Sequence, residues 1–201
     1  TGCNVLDAGV SLTPVIYFAT AFLDLDGGVN ITGSHNVYFY NGFKLMKKGV
    51  WPLYGSELQK MRKMIERKDF IRAKGGVGKL EAIQIHKIYS DYFLKNIHLR
   101  RRLRVVIDTG NGSAGLFAPK LFRDLGCEVA GLYITPDALF PNHTPDPEAP
   151  QNMEDLGKKV LKDKADLGIA FDADGDRMGV VDERGKFVSA DLLLLLFAKD
   201  A

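Results

Sequence analysis

Beyond residue 103, short apolar runs alternate with stretches in which apolar residues recur every three or four positions. Val105, Val106 and Ile107 read as a short buried strand ending at Asp108. Residues 116–125, with Phe117, Leu121, Phe122 and Leu125 on one face, predict a helix stopped by Gly126. Residues 129–134 predict a second strand, and residues 154–164 a helix with Leu156, Val160 and Leu161 inward. Residues 167–171 and 178–181 predict two more strands. Helices of this length between strands imply parallel crossovers, hence an α/β sheet with helices on its faces.

The first half is less regular. Residues 1–6 read as the tail of a strand, and Thr13-Pro14 opens a helix to about residue 23. Pro14 falls near its first turn, where a missing N–H costs nothing. Asp26-Gly27-Gly28 predicts a turn, residues 29–32 a strand and residues 33–41 a loop. Ser56 is expected to cap a helix over residues 57–68, with Leu58, Met61, Met64 and Ile65 at helical spacing. A further helix is expected over residues 83–94, and Arg100-Arg101-Arg102 as a solvated linker. The whole predicts two α/β domains with mixed, mostly parallel sheets flanked by helices.

Charge divides the chain the same way. Residues 1–104 hold 17 Lys and Arg against 8 Asp and Glu, whereas residues 105–201 hold 10 against 17. Such asymmetry can mark nucleic-acid binding. Here the basic residues carry no interleaved stacking aromatics, so two domains with complementary faces are expected and no nucleic-acid partner. The longest wholly apolar string, residues 192–198, is too short to span a bilayer, and no membrane partner is expected. Cys3 and Cys127 have no ligand-like spacing and predict packed thiols in a reduced, cytoplasmic setting. Trp51 is expected near a domain seam, and His86 and His98 on helix surfaces.

Two segments carry chemistry. Asp172-Ala173-Asp174-Gly175-Asp176-Arg177 follows a predicted strand, and three alternating carboxylates can turn their oxygens onto one hard cation such as Mg²⁺. A polar turn is the plain alternative, but three such charges repel unless a cation or Arg177 offsets them. A calcium EF-hand would need Gly where Arg177 stands, and helical flanks. The second segment is Thr32-Gly33-Ser34-His35-Asn36, followed by Asn41-Gly42-Phe43-Lys44. A serine on a glycine-flanked loop, beside an imidazole and an amine, can be a nucleophile or phosphate carrier. By itself it could equally be a surface turn. Both segments are expected beyond the carboxyl ends of strands, where ligands gather in such sheets. Lys74-Gly75-Gly76-Val77-Gly78-Lys79 looks like a nucleotide-binding loop, but Leu80 replaces the metal-binding hydroxyl and no buried strand precedes it.

Together the loops resemble those of the α-D-phosphohexomutases, of the phosphomannomutase/phosphoglucomutase type. Residues 31–44 resemble the phosphoserine loop, T-[AG]-S-H-N-P followed by Y-N-G-F-K, and residues 171–182 resemble the D-x-D-G-D-R metal loop. Between them, residues 108–115 (D-T-G-N-G-S-A-G) and 140–147 (F-P-N-H-T-P-D-P) resemble second-domain segments. The resemblance implies a phosphoserine at Ser34, and Mg²⁺ held by Asp172, Asp174, Asp176 and Ser34. It implies Arg177 beside the transferring phosphoryl group, Lys44 as a proton-transfer residue, and His35 supporting serine or substrate. Val37 stands where the family usually has Pro, which loosens the loop without removing a catalytic group.

The implied reaction interconverts hexose 1-phosphate and hexose 6-phosphate through a hexose 1,6-bisphosphate. Y-N-G-F-K favours glucose and mannose enzymes over the glucosamine branch. The implied architecture has four domains. Residues 1–98 are expected to be a truncated first domain, 99–190 a second, and 191–201 the opening of a third. The family's sugar-selecting loop is missing, so the chain alone is expected to lack turnover. Two rivals remain: a metal-dependent phosphatase built on the Asp loop, and a sugar-nucleotide or nucleic-acid binding module.

Overall fold

The computed structural model describes residues 2–71 and 75–200. Chain order begins with β1 (Val5–Asp7) and α1 (Thr13–Phe22), with Pro14 in the first turn. β2 (Gly27–Ile31) pairs antiparallel with β3 (Phe43–Lys47), and β3 with the short β4 (Trp51–Pro52). After α2 (Ser56–Glu66), β5 (Leu80–Ala82) returns parallel to β1 and leads into α3 (Ile85–Asn96).

The second half follows as β6 (Arg104–Asp108), α4 (Ala118–Asp124), β7 (Glu128–Leu132) and α5 (Glu154–Asp163). Then come β8 (Leu167–Phe171), β9 (Met178–Val181), β10 (Phe187–Val188) and α6 (Ala190–Asp200). Its sheet has the order β10-β9-β8-β6-β7. The strands β7, β6 and β8 are parallel, β9 runs antiparallel to β8, and β10 antiparallel to β9. The α/β fold with mixed sheets is as the periodicity predicts.

Strand alternation builds a core on each face of this sheet. Val106 and Ala170 point to one side, where Leu156 and Val160 of α5 cover them. Val105, Ile107 and Ile169 point to the other, against Ala118 of α4 and Cys127. Complete burial of a side chain such as Ile107 or Leu156 contributes about 1.5–3 kcal/mol. A third cluster joins the halves: Leu12, Val15 and Ala19 pack with Ile85 of α3 and Ala114, flanked by Phe117 and Phe171. Amide hydrogen exchange should therefore be slowest in β6 and β8 and faster in β2, of whose five residues only Asn30 is buried. Equal protection of β2 and β6, measured by mass spectrometry, would contradict this.

Several expectations are corrected. Gly27 and Gly28 lie within β2 rather than a turn; a Cβ on Gly27 would come 2.6 Å from the Met46 carbonyl oxygen, so close strand pairing explains the glycine. Ser56 is the first helical residue of α2, and Gly55 occupies the cap with no side-chain capping bond. Met61, Met64 and Ile65 share the expected face, yet they are 36–57% exposed, because nothing described covers α2 there. Leu161 is exposed while Leu156 and Val160 point inward. Trp51 is 70% exposed. His86 is no plain surface residue: its ring stacks on Phe117 at 3.8 Å and its Nε2 lies 3.1 Å from the Val10 carbonyl, while His98 lies exposed past the end of α3. Cys3 is exposed and Cys127 buried, both free. Lys74 of the decoy loop falls outside the described residues. No helix among the described residues is long and apolar enough to cross a membrane.

Candidate active site

The turn between β2 and β3 carries Ser34. Thr32 N–H donates to the Gly42 carbonyl at 3.0 Å, closing the loop at its base. Inside it, Ser34 N–H donates to Thr32 Oγ1 at 2.8 Å, and the Asn36 side chain donates to the Gly33 carbonyl at 2.9 Å. These bonds hold Ser34 at φ +52°, the left-handed region that a non-glycine residue enters at a cost. His35 Nδ1 stands 3.4 Å from Ser34 Oγ. The loop follows β2 at its carboxyl end as expected, but in an antiparallel hairpin rather than a parallel crossover.

The acidic loop is likewise the hairpin between β8 and β9. Asp172 wraps it: Oδ1 accepts the N–H groups of Asp176 at 3.0 Å and Arg177 at 3.1 Å. Its other oxygen, Oδ2, accepts from Ser34 Oγ at 3.3 Å, so residues 138 apart in sequence meet. Burial pushes the Asp172 carboxyl up to about 7, with Asp174 and Asp176 adding to the shift and the Arg177 N–H opposing it. A glycine buttresses the loop from behind. A Cβ on Gly112 would come 2.6 Å from Ala173 Cα, and Ser113 donates from both N–H and Oγ to the Ala173 carbonyl at 2.9 Å.

Asp174 is buried and faces the first half of the chain. Its Oδ2 accepts from Thr13 Oγ1 at 2.6 Å and from Lys44 Nζ at 2.7 Å; Lys44 also reaches Asp176 Oδ2 at 2.5 Å. Burial raises the Asp174 carboxyl, but the bonds from Lys44 and Thr13, with Thr32 acting in the same direction, hold it below the usual range. Lys44 behaves in complement: burial lowers it, and the two carboxylates more than offset this and raise it. Lys44 is thus a firm cation at neutral pH.

One oxygen from each of Asp172, Asp174 and Asp176 lies within 4.8 Å of the others, so the trio could hold a metal ion. Two observations fit that role. The donors are carboxylate oxygens, which suit a hard divalent cation. Asp174 Oδ1 is also buried without any hydrogen-bond partner among the described residues, and an orphaned charged oxygen is costly unless something binds it.

The fold brings together Ser34, His35, Lys44 and the three aspartates. Arg177 is placed differently: its guanidinium lies 3.4 Å from Glu148 and makes no hydrogen bond to Ser34 among the described residues. Local pattern does not reveal Thr13 or Asn30, which read only as a helix start and a strand residue. Nor does it assign a role to Asp108 and His143, a pair 3.1 Å apart in which Asp108 is fully buried and His143 largely so. A polar side chain at a position that periodicity marks as core was the available signal.

Comparison with known proteins agrees with this geometry. Family models described as phosphoglucomutase/phosphomannomutase α/β/α domain I and domain II match residues 1–72 and 85–185. A phosphomannomutase/phosphoglucomutase of Pseudomonas aeruginosa is 46% identical over 199 residues, covering 99% of this chain and 42% of that protein. A phosphoglucomutase of Neisseria meningitidis is 42% identical over 200 residues, covering 100% of this chain and 43% of the relative. A crystal structure of a phosphoglucomutase/phosphomannomutase family protein from Burkholderia thailandensis superposes with a TM-score of 0.91 at 39% identity, over 98% of this chain and 44% of that one. The chain thus spans less than half the length of these relatives. With its serine and acidic loops meeting at one point and family models matching both halves, the chain belongs to the phosphoglucomutase/phosphomannomutase family.

Proposed function

We propose that this chain carries the phosphate-transfer half of a mutase that interconverts hexose 1-phosphate and hexose 6-phosphate, of glucose or mannose. The observation that supports it best is the 3.3 Å approach of Ser34 Oγ to Asp172, which puts a phosphate carrier beside three carboxylates. Ser34, once phosphorylated, gives its phosphoryl group to a free sugar hydroxyl. The Ser34 Oγ–P bond breaks, the sugar O–P bond forms, and the proton lost by the sugar hydroxyl is made good on the departing Ser34 oxygen. The hexose 1,6-bisphosphate then returns its other phosphate to Ser34.

The residues have distinct parts in this scheme. The left-handed turn at Ser34 fixes its oxygen at the mouth of the acidic loop. His35 is within 3.4 Å of that oxygen and orients it. Lys44, held as an ammonium, donates a proton to the sugar oxygen released when Ser34 takes the phosphate, and takes up in exchange the proton that the Ser34 hydroxyl loses in the same step. Arg177, on the rim beside Glu148, is a cation available to phosphate oxygens. Asp172, Asp174 and Asp176 would hold Mg²⁺ together with an oxygen on Ser34; the bound ion supplies positive charge against that of the phosphoryl group. We assign residues 1–98 to a first domain, 99–190 to a second and 191–201 to the start of a third.

Incubation with a hexose 1,6-bisphosphate and Mg²⁺, followed by intact-mass measurement and peptide mapping, tests the assignment. A phosphate on Ser34 is expected. Its appearance at another residue, or on none, would refute the role of Ser34.

A further inference from the structure

A hydroxyl that belongs to neither loop reaches into the acidic trio. Thr13 opens α1 and is fully buried, and its Oγ1 lies 2.6 Å from Asp174 Oδ2. On its other side, Asn30 Nδ2 of the strand β2 is also 2.6 Å away. A threonine hydroxyl has one proton to give and two lone pairs that accept. The Asn30 amide nitrogen only donates, so the hydroxyl accepts from Asn30 and gives its proton to Asp174. The opposite placement of the amide would set a second acceptor against the same hydroxyl, leaving one proton for two oxygens at hydrogen-bond distance. The nitrogen therefore faces Thr13.

This relay settles how the Asp174 carboxylate is turned. An aspartate carboxylate rotates easily about its last bond, so its orientation is set by what its oxygens meet. Thr13 and Lys44 both engage Oδ2, while Oδ1 is buried and has no hydrogen-bond partner among the described residues. The backbone is held separately: Thr13 N–H donates to the Asp174 carbonyl at 3.0 Å, a bond that any residue at position 13 except proline retains. Loss of the hydroxyl would thus free the carboxylate without releasing the main chain.

We propose that Thr13, oriented by Asn30, is a positioning residue that keeps one Asp174 oxygen available to the cation, so that the start of α1 sets the affinity of a metal site on the other half of the chain. The inference rests on the metal-holding role of the acidic trio described above. Residues that orient metal ligands through hydrogen bonds typically affect affinity about 10–100-fold, and Thr13→Val should weaken Mg²⁺ binding by about tenfold. Thr13→Ser, which keeps the hydroxyl, should restore most of it. Thr20→Val removes another buried hydroxyl from the same helix, one that bonds to the Ile16 carbonyl at 2.8 Å, lies 3.5 Å from Met46 Sδ and packs against Gly28 of β2. That variant should lose stability but not Mg²⁺ affinity, which separates positioning from a general loosening of α1.

Titration calorimetry with Mg²⁺ on the purified protein and these variants, with thermal unfolding as a check of folding, decides the matter. If the unaltered protein takes up no Mg²⁺, the metal role itself fails and this inference with it. If the unaltered protein binds Mg²⁺ and folded Thr13→Val binds it equally well, only the positioning role is overturned. An equal loss in Thr20→Val would overturn it too. Should Thr13→Val not fold, Asn30→Leu reads the same link from its other end: a loss of affinity supports the relay, and unchanged affinity overturns it.

Discussion

Phosphorylation of Ser34 should raise the affinity of the acidic loop for Mg²⁺ by about tenfold or more, within the range of about 5–150-fold common for coupled sites. Ser34 Oγ already stands 3.3 Å from Asp172 Oδ2, so a phosphate attached there arrives among three carboxylates. It brings a charge of about −1.5 to −2 at neutral pH. The site has little to set against it. Lys44 is already shared between Asp174 and Asp176, and Arg177 is turned toward Glu148. Burial raises the Asp172 carboxyl to about 7, a sign that negative charge is hard to accommodate even before a phosphate is added. Phosphate and cation should therefore stabilise each other, and by linkage Mg²⁺ should protect the phosphorylated protein from thermal unfolding more than the bare form. Asp176→Asn should weaken the coupling. Asp163→Asn, at the end of α5 and paired with Lys159, should not. Calorimetry on the two phosphorylation states provides the check, and equal Mg²⁺ affinities would show that the loops act independently.

How much of this was legible depended on where the physical cause of each feature lies. The strands β6 and β8 are buried on both faces, and their unbroken apolar runs announce this without reference to any partner. The carboxylates at 172, 174 and 176 share a loop, so spacing alone suggests joint coordination. By contrast, β3, β4 and β5 went unpredicted because each is short and β4 and β5 are exposed throughout, so their pairing rather than their composition defines them. The apolar stripe of α2 predicted a helix correctly and said nothing of its burial, because periodicity tells which residues share a face and not what covers it. The bond between Thr13 and Asp174 joins residues 161 apart, and no local pattern encodes it. The same holds for the guanidinium of Arg177: its place in the motif was visible, but its contact with Glu148 depends on how residues 140–148 fold back.

That returning segment is the subject of the second large effect: His143→Ala should destabilise the protein by about 3–5 kcal/mol, the usual cost of stranding one partner of a buried ion pair. His143 Nε2 lies 3.1 Å from Asp108 Oδ2, and its Nδ1 lies 2.8 Å from the Thr144 carbonyl. With Asp108 ionised both partners are acceptors, so a ring protonated at both nitrogens serves both bonds and a neutral one serves only one of them. Burial lowers its pKa, but Asp108 and the Thr144 carbonyl, with Asp155 beyond them, more than compensate and leave it raised. The other groups nearby are Tyr133, whose ring packs edge-on against His143, and Lys158, which neutralises Asp155. Asp108 is completely buried at the end of β6 and, among the described residues, keeps only the Gly110 N–H, at 2.8 Å, if the imidazole is removed. The sign of the pH dependence follows. A histidine whose folded pKa exceeds its unfolded value of about 6.5 contributes its full stabilisation below that pH and loses it as pH rises through the folded value. Urea unfolding should therefore show the gap between the unaltered protein and His143→Ala to be wide near about pH 6 and narrower near about pH 9. A gap that is constant across this range would mean that the ring acts through packing alone. A gap that widens with pH would mean that His143 is neutral in the folded protein, and that one of its two acceptors goes unserved.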